Sequence, residues 1–457
     1  MDKQNSNAQL GSEPIRDIRQ LSKPKAFILG LQHLFAMFGA TVLVPLITGL
    51  DISTTLLMAG LGTLLFHLLT RGKVPAFLGS SFAFLGGYAA VAPKLGEQAN
   101  LDRLPYACGG VFIAGLVYVL IAGLIRYFGV EKVMRFFPPV VTGPIIISIG
   151  LTLAPSAIAN ANTDWLLALV AIAVVVYFNI FGKGMAKIIP IILGILVSYA
   201  LALVLNRVDF AALAGSKVVQ IPLKPDQFMK FDLSAIITIA PIALATIMEH
   251  IGDISAISAT TGQNYIKDPG LHRTLLGDGL ATSLASAFGG PANTTYGENT
   301  GVLVLTKVYD PRVMRLAALM AIALSFFPAV SGVIRSIPTA IIGGISMILY
   351  GMISSIGVRN LVENHVDFTK SRNLIVAASI FVCALGFSGE VSGISFSVGD
   401  ATISLSGLAI AAMVGILLNA VLPGKDYVFT EEDPKHTGVN FSGTDTTKEG
   451  RAKKVKK

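Results

Sequence analysis

Twelve apolar stretches run through this chain of 457 residues, near 26–49, 53–70, 104–125, 139–158, 164–181, 188–205, 234–257, 272–288, 314–330, 338–357, 373–388 and 402–422. A helix needs about 20 mostly apolar residues to cross a bilayer, so each stretch is a candidate span. Two further segments, 75–93 and 291–309, are apolar but interrupted by Gly, Pro, Ser and Asn, and read as broken spans. Composition agrees with a chain that lies mostly in lipid. Charged residues are only 14% and mean hydropathy is +0.69, where a soluble domain carries about 25% charged residues. An ordinary cytosolic enzyme and a disordered chain are both excluded. The two cysteines, Cys108 and Cys383, sit in apolar runs, which argues against a disulfide framework or a zinc cluster. The first 25 residues are polar, so no cleavable leader is expected.

The net charge of +8 suggests nucleic acid only until the charges are placed. With 14 crossings, both termini share a side. Taking that side as cytoplasmic puts 28 of the 35 lysines and arginines there and seven outside, as the positive-inside bias requires. Four of those seven lie in one connection, 206–233. The tail 425–457 is then a topology signal with a weak affinity for anionic lipid.

The two broken segments occupy matching places. Gln32-His33 lies in the first span and Glu249-His250 in the eighth, and His33 to Ser81 spans the same 48 residues as His250 to Glu298. Each half has seven crossings with the third one broken, and an odd number inverts the second copy. The expected fold is therefore an all-α polytopic membrane protein, with 14 transmembrane segments as two inverted seven-span repeats. Its two broken spans are each a short extended stretch plus a half-helix. Paired discontinuous helices in inverted repeats mark the midplane site of a secondary transporter. Gly and Pro are common in membrane helices, but their matched placement favours the repeat.

A broken span exposes backbone N–H groups at the start of its half-helix, and in lipid these must face a cavity. In Pro291-Ala292-Asn293-Thr294-Thr295-Tyr296-Gly297 the chain reads as extended, with a helix beginning near Glu298. Gly297 lets a ligand approach the backbone. In Gly79-Ser80-Ser81-Phe82 the same logic exposes N–H groups near Phe82, whose ring either stacks on a flat ligand or packs in the core. Glu249 lies deep in an apolar run and Asp253 follows at i+4 on the same helical face. Two adjacent carboxylates in a low dielectric favour retention of one proton near neutral pH, as proton coupling needs. His33 reads either as a hydrogen-bonded spacer or as a relay, and Asp278, in Leu-Gly-Asp-Gly, as a local contact near a helix end. Carboxylates that accept, half-helix N-termini that donate and an aromatic plane together suit a small flat ring with alternating N–H and C=O groups. A nucleobase fits. An anion fits poorly, because the candidate residues include acids and no Lys or Arg.

Gln32-His33, Glu249-His250-Ile251-Gly252-Asp253 and Glu298-Asn299-Thr300-Gly301 with Thr306-Lys307 resemble the nucleobase–ascorbate transporter (nucleobase:cation symporter) family. The resemblance extends over about residues 25–425, and Ala340–Arg359 is similar to bacterial uracil permeases. It implies a core domain (26–126 and 234–330), a gate domain (127–205 and 331–424) and import of a nucleobase by proton symport with alternating access. By position, it implies Glu249 and Glu298 as base-binding carboxylates, and Gly297 and Phe82 as backbone donors. Ser81, Tyr296 and Tyr350 would line the site. Glu249, Asp253, His33 and Asn299 are the residues implied in proton coupling. Glu298 points to uracil, since xanthine and urate carriers typically have Gln there; Asp253 resembles the purine carriers, because uracil permeases have His. Uracil is favoured and xanthine is the alternative. No cofactor or metal is called for. The expected partners are the base, a proton, the bilayer and, if it dimerises, a second copy. The expected location is the cell membrane with both termini cytoplasmic. A metal enzyme built on Glu249, His250 and Asp253 is disfavoured, since His250 lies on a different face from Glu249. An anion carrier of the same fold would want a basic site. A channel would not grip a ring with two acids.

Overall fold

The computed structural model describes residues 13–93, 99–209, 218–388, 393–398 and 401–424. The tail 425–457, and with it the lipid-binding expectation, lies outside the described residues, as do 1–12 and 210–217 of the terminal segment and the long connection.

Helices dominate. In the first half, α1 (Lys23–Thr48) and α2 (Ile52–Leu69) precede the strand β1 (Leu78–Ser80). A tight turn, Phe82–Phe84, leads from β1 into α3 (Leu85–Val91). Then come α4 (Leu104–Phe128), the short α5 (Val130–Met134), α6 (Pro139–Ala161), α7 (Trp165–Phe181), α8 (Met185–Ile188) and α9 (Pro190–Val204). The second half repeats the plan. The pair α10 (Leu233–Ile239) and α11 (Ile242–Thr261) is followed by α12 (Leu271–Ala287). Strand β2 (Asn293–Thr295) feeds α13 (Gly297–Thr306). Next are α14 (Pro311–Ser325), the short α15 (Pro328–Arg335), α16 (Thr339–Glu363) and α17 (Ser371–Gly386). A hairpin of β3 (Ile394–Val398) and β4 (Ala401–Leu405) leads to α18 (Gly407–Val421).

With α10 and α11 counted as one, six helices among the described residues are long and apolar enough to cross a membrane, or seven if the bent pair α14–α15 is one span. Five more apolar helices are shorter. Large apolar side chains on α7 and α17, such as Ile180, Phe181, Leu374 and Val382, are exposed. Lipid is the solvent that such faces match. The chain is a multi-pass membrane protein.

The halves also pack as counterparts. Helix α2 lies on α14 as α12 lies on α4, and α7 on α9 as α17 on α18. Helix α16 touches α7 and α6 touches α17, while α6 and α16 pack on each other. That last contact is close because of glycine: a β-carbon on Gly150 would collide with the Tyr350 carbonyl oxygen. At the centre β1 and β2 pair antiparallel, with Leu78, Gly79 and Ser80 opposite Thr295, Thr294 and Asn293.

Three expectations need correction. The stretch 402–422 is not one helix: Ala401–Leu405 is a strand, and α18 starts after Ser406, whose hydroxyl accepts from the Ala409 N–H at 3.3 Å. The alternation Ile-Ser-Phe-Ser-Val and Ala-Thr-Ile-Ser-Leu is the period-two pattern of a hairpin. The stretch 314–330 breaks after Ser325, and α15 turns away by 84°. Pro328 drives Phe327 out of helical geometry (φ −104°, ψ 96°). Asp278 is not near a helix end; it lies in the middle of α12 and is fully buried.

Candidate functional site

The short strand pair is where the site is built. Pro75 and Pro291 supply no backbone N–H and bias the residue before them to extended geometry, so both chains enter as strands. Gly79 is required at the crossing. A β-carbon there would lie 2.5 Å from the Tyr296 ring and 2.6 Å from the Thr41 hydroxyl. The Tyr296 hydroxyl donates to the Ser80 carbonyl at 2.8 Å, and the Ser80 hydroxyl donates to the Thr41 carbonyl at 2.9 Å. Asn293 donates to the Met58 carbonyl of α2 at 2.8 Å. The pair is thereby tied to α1 and α2.

The half-helices leave this pair at opposite ends. Helix α13 begins at Gly297, one residue before the expected Glu298, with Tyr296 at its cap making no side-chain cap bond. The turn at Phe82 follows Ser81, which also makes none, and the buried Ser81 hydroxyl has no hydrogen-bond partner among the described residues. Both N-termini therefore present N–H groups that no capping side chain takes. Glu298 lies in the first turn of α13, where the helix dipole favours a carboxylate.

Helix α11 carries Glu249 and Asp253 past both features. It touches α13 on one side and the Phe82 turn on the other. Glu298 and Asp278 lie close enough to Glu249 and Asp253 for the four acids to interact electrostatically. A β-carbon on Gly297 would lie 3.5 Å from Asp253 Oδ1. Tyr350 of α16 meets Phe82 edge-on, with ring centroids 6.4 Å apart. The structure thus gathers Glu249, Asp253, Glu298, Gly297, Phe82, Ser81 and Tyr350 around the strand ends. Tyr296 sits behind them as a brace, with 4% of its surface exposed. His33 and Asn299 form a separate pair: Asn299 Nδ2 lies 3.2 Å from His33 Nδ1 and donates to the His33 carbonyl at 3.1 Å.

Sequence reasoning passed over a buried layer behind Asp253. The Thr295 hydroxyl donates to Asp253 Oδ2 at 3.1 Å and lies 3.3 Å from His250 Nδ1. His250 Nδ1 is 3.4 Å from Asp278 Oδ2, to which the Thr294 hydroxyl donates at 3.1 Å. The available signal was the polar run Asn293-Thr294-Thr295 inside an apolar segment.

Comparison with known proteins places this geometry. A solved transmembrane domain of a cyanobacterial bicarbonate transporter, BicA, superposes with a TM-score of 0.60 over 82% of this chain and 98% of its own, at 14% identity. That likeness concerns the fold alone. The uracil permease of Bacillus caldolyticus is 41% identical over 443 residues, covering 93% of this chain and 99% of the relative. A probable uracil permease of Haemophilus influenzae is 42% identical over 411 residues, covering 88% and 95%. The Permease family matches residues 24–392. With its broken-span motifs seated around one strand crossing, the chain belongs to this permease family, the nucleobase–ascorbate transporters that its motifs resemble.

Proposed function

We propose that this chain imports a nucleobase, uracil in the first place, by proton symport through alternating access. The observation that carries the reading is the convergence at one strand crossing. Two uncapped half-helix N-termini, three carboxylates and two aromatic rings meet there. Carboxylates accept from ring N–H groups, backbone N–H groups donate to ring carbonyls, and Phe82 offers a plane. The named site residues Glu249, Glu298, Gly297, Phe82, Ser81, Tyr296 and Tyr350 act here as substrate contacts or their immediate support. Glu249 and Asp253, with His33 and Asn299, carry the proton coupling. The relatives' names, uracil permease and probable uracil permease, agree.

The architecture is read as 14 crossings in two inverted halves, with both termini cytoplasmic. The antiparallel strands at matched places and the exchange-related helix contacts support it. Residues 26–126 and 234–330 act as the core that holds the substrate, and 127–205 and 331–424 as the gate against which it moves. Phe82 against Tyr350 is a contact between the two. A xanthine symporter is the second reading, favoured by Asp253 where uracil permeases typically have His. Competition in proteoliposomes, labelled uracil against xanthine under an inward proton gradient, separates them. Tighter xanthine binding overturns the uracil reading, and uptake indifferent to the gradient overturns symport.

A further inference from the structure

Behind the acids that face the substrate lies a second titratable layer, fully enclosed. His250 and Asp278 are both 0% exposed, and His250 Nε2 and Asp278 Oδ1 have no hydrogen-bond partner among the described residues. Among the described residues, Thr295, on the strand that crosses β1, joins this pair to the substrate-facing acids through its own hydrogen bonds. A hydroxyl has one proton and accepts through its lone pairs. Thr295 can therefore donate to Asp253 or to His250, never to both at once.

That restriction links the protonation of two residues that do not touch. When Asp253 is ionised it can only accept, so Thr295 donates to it and accepts from a proton on His250 Nδ1. When Asp253 holds the proton it donates to Thr295, and Thr295 turns its own proton to a bare His250 Nδ1. We propose that Thr295, His250 and Asp278 form a proton path leading from the substrate-facing acids into the interior of the core helices. The transfer balances. Asp253 loses one proton to Thr295 Oγ1 as Thr295 passes its own to His250 Nδ1. Asp253 ends as a carboxylate and His250 as an imidazolium facing the Asp278 carboxylate at 3.4 Å. Thr294 steadies Asp278 Oδ2 from the same strand. Beyond Thr295 and Asp278, His250 meets Phe66 of α2 edge-on, with ring centroids 6.4 Å apart, while the acids that neighbour Asp253 are Glu249 on its own helix, Glu298 on α13 and Asp278 on α12.

This inference rests on the symport reading above. The test compares Thr295→Val, which removes the hydroxyl at nearly constant shape, with Thr295→Ser, which keeps it, and adds His250→Gln as a second break. Each is reconstituted and assayed for uracil binding, uracil–uracil exchange and accumulation driven by a proton gradient over a range of pH. We expect Thr295→Val and His250→Gln to bind and exchange uracil within about threefold of wild type and to lose driven accumulation by about tenfold or more, as for one buried hydrogen bond removed from a required path. Thr295→Ser retains accumulation with a wild-type pH profile. Driven accumulation by Thr295→Val with an unaltered pH profile overturns the path. So does equal loss of binding, exchange and accumulation, which marks a merely structural threonine. Failure of the wild type itself to bind uracil or to respond to the gradient strikes the functional reading instead.

Discussion

Glu298, when ionised, can only accept hydrogen bonds, and its place in the first turn of α13 fixes it beside the N–H groups of that helix. Glu298→Gln puts an N–H₂ donor where a uracil N–H needs an acceptor. A buried mismatch of this kind costs on the order of 1–3 kcal/mol, so uracil affinity measured in detergent is expected to fall about ten- to hundredfold. Unchanged affinity would mean that Glu298 does not touch the ring. Glu249→Gln removes from α11 the acid proposed to carry the proton and is expected to abolish uptake driven by a pH gradient in proteoliposomes; full driven uptake would end its assignment as the key acid. Spacing exposed Glu249, Asp253 and Glu298 because charge inside an apolar run is conspicuous. It hid Asp278, because an aspartate between two glycines looks like helix punctuation. Its partners Thr294 and His250 come from a strand and another helix, and no local pattern announces a contact made across the fold.

At the scale of the element, three residue pairs hold the crossing together, and Gly79 is its tightest point. Gly79→Ala would drive a carbon into the Tyr296 ring, with the nearest atom at 2.5 Å. Overpacking of this sort costs about 1–3 kcal/mol, so the melting temperature in detergent should fall and uracil binding with it. Gly86→Ala is the contrast, since an added carbon there meets nothing within 4 Å. It should leave melting unchanged or raise it slightly, by the gain of up to about 1 kcal/mol for Gly to Ala in a helix. A Gly79→Ala variant as stable as wild type would show that the strands can part without harm. The existence and position of both breaks were legible from equal spacing of 48 residues and from Gly and Pro. Their pairing was not, because three-residue strands are too short for periodicity to register. The β3–β4 hairpin was legible in principle, but its alternation abuts an apolar helix and merges with it in any hydropathy window.

Across the whole molecule, the proposed arrangement of two seven-span halves, which the charge segregation and the exchange-related packing support, implies an even number of crossings. A tag at either terminus is therefore expected to be reachable from the cytoplasmic face alone, tested with an impermeant label on intact cells and on inverted vesicles. One terminus labelled from outside would break the seven-plus-seven arrangement. The strand crossing also has a temporal side. Ser80 and Asn293 are partners across more than two hundred residues of chain. Until the ribosome has delivered β2, the Leu78–Ser80 edge is without its mate, and lipid penalises each bare peptide group by several kcal/mol. Contacts this distant in sequence also form slowly. A nascent chain halted after α9 would be an inserted half with nowhere to seat a ligand. If the proposed site is the one that holds the base, the ability to recognise cargo arrives only when the second half closes on the first.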